Sequence, residues 1–174
     1  MKNICILLLT SLLFASCEDS LNDPNLIVFN NDFESFKGWG DTSQIVEGLG
    51  HSGRFSSSAT PAAPYGKIFR IKFSDISKTP VSTLRYSAWC YTDQLPVKGQ
   101  IVFSVGNDSL KNIIWKSAVV ENYLNVSKKW IEITGKIDLR ENRANLPQND
   151  LVAYLWNNGQ SNIYVDDFHF EFSK

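Results

Sequence analysis

Residues 161–172 read SNIYVDDFHFEF, and the phase of their hydrophobic alternation decides the fold. Side chains of a strand point alternately to its two faces, so Ile163 and Val165 share a face. Phe168, Phe170 and Phe172 resume that face only after a one-residue slip at Asp166-Asp167. A slip of one would turn the rest of the strand inside out unless a bulge absorbed it, and a bulge aims one carboxylate along the strand edge. The paired aspartates then have two readings. They are hydrated acids on a kinked edge strand, or Asp166 or Asp167 holds a hard cation together with oxygens from elsewhere in the chain.

The same period of two recurs upstream. In Lys67 to Phe73, Phe69, Ile71 and Phe73 share one face while Arg70 and Lys72 share the other. Leu84 to Tyr91 places Leu84, Tyr86, Ala88 and Cys90 opposite Arg85, Ser87, Trp89 and Tyr91. Strand character also marks Leu26 to Phe29, Arg54 to Ser58, Gln100 to Val105, Leu110 to Ala118, Trp130 to Leu139 and Asp150 to Trp156. Between them lie turn signals such as GLGHSG at 48–53, the proline-bearing connection Thr60 to Gly66 and the polar loop Arg140 to Asn149. No stretch has a sustained helical period, although Val119 to Leu124 can make one turn. Nine or ten short strands without helical crossovers specify an all-β fold, a two-sheet antiparallel β-sandwich of jelly-roll type.

The chain has 174 residues, which suits one domain with a sizeable core. With 43% hydrophobic residues and five tryptophans it packs rather than remaining disordered. Lysine and arginine number 17 against 18 acids, so no field draws it to nucleic acid. Residues 1–16 read as a signal peptide: a short basic start, an apolar run from Ile4 to Phe14 too short to span a bilayer, then small residues. The ending Phe14-Ala15-Ser16-Cys17 resembles the lipobox of bacterial lipoproteins, which implies lipidation at Cys17; the alternative is a plain signal peptide. Residues 17–25 form an acidic tether, and Glu18-Asp19-Ser20 resembles the export signal of outer-membrane, surface-exposed lipoproteins. The domain occupies residues 26–174 and retains one cysteine, Cys90, read as a small buried hydrophobe.

Four segments in order resemble carbohydrate-binding modules of families four and nine, within the galactose-binding-like jelly rolls. They are Asn31-Asp32-Phe33-Glu34 with Gly38-Trp39, His51 to Ser56, the Ser87-Ala88-Trp89 strand, and Ile163 to Phe168. The resemblance covers nearly the whole domain and implies a structural calcium tying the opening segment, the serine-glycine turn and the closing aspartates together. Carried onto this chain, Glu34, Asp166 or Asp167, and a backbone carbonyl at Ser52 are the implied ligands.

Sugar sites pair flat aromatics with planar amides and guanidinium groups. The residues opposite the core alternation supply both: Arg70, Lys72, Arg85, Trp89, Tyr91, Gln100, Ser104, Asn112 and Lys116, with Trp115 and Trp156-Asn157 at the border. Arg85, Trp89 and Tyr91 are the first expected ligand contacts, joined by Arg70 and Trp156. Trp39 and Trp130 are read as core or lid residues. Catalysis is not expected, because glycoside hydrolysis needs two carboxylates across a cleft and the acids here fall in loops or at the implied metal site. The expected partner is a glycan or polysaccharide, with the membrane touched through the lipid anchor only. The competing class is a docking lipoprotein of a glycan-uptake complex.

Overall fold

A computed structural model describes residues 26–35, 43–107 and 110–174, with the backbone alone at 110 and 111. The signal peptide, Cys17, the tether and the Gly38-Trp39 pair lie outside the described residues. Among the described residues ten strands, numbered in chain order, form two antiparallel sheets. The front sheet runs β2 (Ile45–Glu47), β3 (Phe55–Ala59), β10 (Ile163–Ser173), β5 (Thr83–Thr92), β8 (Ile131–Asp138), and β1 (Leu26–Asn31) also pairs with β10. The back sheet runs β4 (Phe69–Lys72), β9 (Asp150–Asn157), β6 (Gly99–Asn107), β7 (Leu110–Val119).

The expected phase slip is a bulge in β10. Its register against β5 jumps between Asp166 and His169, and Asp167 takes a left-handed φ of 47°. The bulge also marks a change of partner on the other side of β10. Ile163 to Val165 pair with β3, whereas Phe168 to Ser173 pair with β1. One extra residue thereby lets a single strand hold two short neighbours and keep one inward face.

That face is the core. Ile163, Val165, Phe168, Phe170 and Phe172 are buried against Ile101, Phe103, Leu151 and Leu155 of the back sheet. Phe170 stacks on Phe69 at 4.9 Å and on Phe168 at 5.5 Å, and Phe172 meets Phe29 and Phe73 edge-on. Each such ring contributes about 1.5–3 kcal/mol by burial alone. Cys90 is buried, as its place in the inward row requires, and burial pushes its thiol pKa well up.

Three local expectations are corrected. Strand β2 was not expected, because three residues carry no readable alternation. Phe73 is inward and buried, but it opens a single helical turn, α1 (Phe73–Ile76), instead of ending β4. The polar loop after β8 is wound as 3₁₀-helix over Arg140–Gln148. The turn expected near Val119 is present as 3₁₀ at Val120–Asn122.

Candidate functional site

The implied metal ligands do meet at one corner. Phe33, with a left-handed φ of 56°, turns the chain after β1 so that Glu34 reaches the 50–55 turn. Glu34 Oε1 accepts the backbone N–H groups of Arg54 and Phe55, both at 2.7 Å. Gly53 has φ +62° and a Cβ there would lie 2.4 Å from the Glu34 carboxyl carbon, so only glycine permits this approach. Asp166 is completely buried; its Oδ2 accepts N–H groups from His51 at 2.7 Å and Ser52 at 3.2 Å, and its Oδ1 accepts that of Asp167 at 2.7 Å. Asp167 accepts the Ser52 hydroxyl at 2.6 Å and has its other oxygen 2.6 Å from His51 Nδ1.

Calcium requires six to eight oxygens turned toward one point. Here Glu34 Oε1, both Asp166 oxygens and Asp167 Oδ1 accept N–H or O–H groups, and Ser52 contributes its amide and hydroxyl as donors. Among the described residues no group of three or more His, Cys, Asp or Glu is placed to hold a metal ion. Glu34, Ser52, Asp166 and Asp167 as arranged therefore do not fit the expected calcium. The carboxylates themselves fasten the turn to the bulge.

The expected ligand contacts are not one site. Arg85, Trp89 and Tyr91 lie on β5 and point out from the front sheet; Arg70 on β4 and Trp156 on β9 point out from the back sheet. Inward core separates the two groups, so one ligand cannot touch both. The His51 ring stacks on one face of Trp89, and Trp130 leans on His51 at 5.8 Å and on Tyr91 at 5.4 Å. Trp130, expected in the core or lid, is instead half-buried in this aromatic cluster outside the front sheet, because its place just before β8 sets it opposite Tyr91. Asn157 is also corrected: it is buried and donates to the Ala59 and Ser161 carbonyls, fastening a turn.

The outer face of the back sheet has the better arrangement. Tyr65, from the 60–66 connection, bridges to Trp156 through the backbone. Its ring lies 20° from parallel to Trp156, with centroids 6.4 Å apart, and packs edge-on against Tyr154 at 5.9 Å. Tyr65 is 50% exposed. Burial, with Tyr65 adding, pushes the Tyr154 hydroxyl upward, so it remains a donor at neutral pH. Four residues along β9, about 13 Å away, Arg70 donates to Asp150 at 3.3 Å. A polar hollow of about 190 Å³ opens there beside Ser104, Asn107 and Asn112. Between these ends Val102 faces outward yet is completely buried, so flanking side chains close over it. Gln100, Lys72 and Trp115 belong to the same outer face by register, and Lys116 does not. Tyr65 and Tyr154 were missed in the sequence. The only sign of Tyr65 was a large aromatic in an otherwise proline- and alanine-rich connection.

No family model and no curated protein matches the chain. Solved structures do. A xylan-binding domain designated CBM22-2 from Paenibacillus barcinonensis superposes with a TM-score of 0.54 at 18% identity, covering 84% of this chain and 99% of that one. The C-terminal family 22 carbohydrate-binding module of a Clostridium thermocellum protein gives 0.51 at 12% identity, covering 87% and 96%. The likeness shows that the fold is the β-sandwich jelly roll of carbohydrate-binding modules; the sequence motifs resemble families four and nine, whereas these two neighbours belong to family 22.

Proposed function

We propose that the protein is a non-catalytic carbohydrate-binding module that takes a polysaccharide along the outer face of the β4-β9-β6-β7 sheet. The observation that carries this reading is the Tyr65–Trp156 pair, near-parallel rings of which Tyr65 is half exposed and Trp156 partly so, at one end of a strip, taken here as the ligand trough, whose other end is the polar hollow beside Arg70, Ser104 and Asn112. Pyranose rings stack on such rings through their C–H faces, and the polar end orients hydroxyls. The shared fold with modules described as xylan-binding supports the choice of ligand class. Lipidation at Cys17 and display at the outer-membrane surface complete the proposal, supported by the N-terminal sequence pattern alone.

Affinity electrophoresis in gels containing soluble xylan or galactan tests the reading. Retardation of the wild-type protein is expected, and Trp156→Ala should weaken it by about 1–3 kcal/mol, by analogy with base stacking on aromatics. A folded wild-type protein that runs unretarded in every gel contradicts it.

A further inference from the structure

A cavity of about 660 Å³ lies away from that trough, at the open side of the sandwich where edge strands β7 and β8 approach without pairing. Two of its residues occupy places where the alternation calls for core. Tyr86 stands opposite Gly135, between the buried pairs Leu84–Ile137 and Ala88–Ile133. Lys116 stands opposite Phe103, between Val105–Ile114 and Ile101–Ala118. An aliphatic residue at either position would close the sandwich; these side chains instead keep it open and polar.

The Tyr86 ring packs on Phe103 at 4.1 Å, and its hydroxyl extends over Gly135, where a Cβ would lie 2.2 Å from the oxygen. That hydroxyl makes no hydrogen bond among the described residues. Burial, with Tyr123 adding, pushes its pKa upward, so it remains a donor. Lys136 lines the cavity with Lys116, and neither makes an ion pair among the described residues. Of the two nearby acids, Asp138 is committed to Arg140, whose Nε lies 2.9 and 3.0 Å from its oxygens, and Glu141 is at the exposed rim. The Lys116 ammonium is thus left available to an anion, beside an apolar wall of Ile114 and Ile137, while Lys136, on the outward row of β8 opposite Arg85, reaches the cavity from its exposed rim.

We propose that this cleft binds an acidic sugar, a uronate ring whose carboxylate meets Lys116 and Lys136 and whose hydroxyl meets Tyr86. The apolar wall suits the ring's C–H face, and the ammonium charge of Lys116, with that of Lys136 at the rim, selects the carboxylate over a neutral sugar. Trp115 borders both this cavity and the outer face of the back sheet, but neither Tyr65 nor Trp156 lines the cavity, so the site does not depend on that pair.

Titration of the purified protein with D-glucuronate, with glucose as the neutral control, tests the proposal. Saturable glucuronate binding that weakens with added salt is expected, with none for glucose. Lys116→Met should weaken it about tenfold and Tyr86→Phe by a smaller factor, both at near wild-type melting temperature. Trp156→Ala should leave it unchanged, which separates this site from the trough. Absence of saturable glucuronate binding, or equal binding by wild type and a folded Lys116→Met, overturns the proposal.

Discussion

His51 lies flat on Trp89, with ring centroids 3.9 Å apart and planes 10° from parallel. The stack joins the 50–55 turn to the outer surface of the front sheet, and Asp167 holds the imidazole from the side. One face of Trp89 is thereby taken into the scaffold, while the residue also lines a hollow of about 490 Å³ with Ser87 and His169. His51→Ala should lower stability by about 1–2 kcal/mol and leave glycan affinity unchanged. Urea unfolding beside affinity electrophoresis checks both; lost affinity at unchanged stability would make Trp89 a ligand contact.

The same corner makes stability pH-dependent. Burial pushes the Asp166 carboxyl from its ordinary 3.8 up to about 6, with Asp167 adding, against backbone N–H bonds from Asp167, His51 and Ser52 that pull it down. The folded protein therefore holds this proton more tightly than the unfolded chain. The group's contribution is greatest below about pH 4, falls as pH rises through about 6 and is constant above. The total is on the order of 3 kcal/mol. Asp166→Asn should remove that slope, so the wild-type minus variant difference in unfolding free energy should change between pH 4 and 7.5. Parallel profiles would show that Asp166 titrates normally.

Because Glu34 Oε1, both Asp166 oxygens and Asp167 Oδ1 already accept N–H or O–H groups, a chelator should leave the melting temperature where it was. Added calcium should not raise it either. A chelator-induced drop in a calorimetric scan would restore the metal reading of Glu34 and Asp166.

Gly53→Ala should cost about 1–3 kcal/mol, from its positive φ and from collision with the Glu34 carboxyl. In a double-mutant cycle with Glu34→Ala the two losses should be less than additive, since removing the carboxyl removes the collision. Additive losses would mean that backbone strain alone sets the cost.

The bulge was legible because it shifts a strong alternation by one at two residues that cannot both be core. The inward rows of β5, β6 and β10 were legible for the same reason. What alternation does not encode is which sheet a strand joins. Arg70 and Trp89 read alike as outward residues, yet β4 and β5 enter opposite sheets, so a single expected site became two faces. Trp130 was misread because its side follows from pairing with β5, a long-range fact. Tyr65 escaped notice because its position depends on a backbone bridge from a connection to β9.

Comparing the two faces in one binding assay tests the glycan reading most directly. Tyr65→Ala and Tyr91→Ala should each be run in xylan-containing gels after circular dichroism shows both to be folded. Retardation lost in Tyr65→Ala and kept in Tyr91→Ala is the expected result. The reverse pattern would move the ligand to the front sheet and contradict the assignment of the trough.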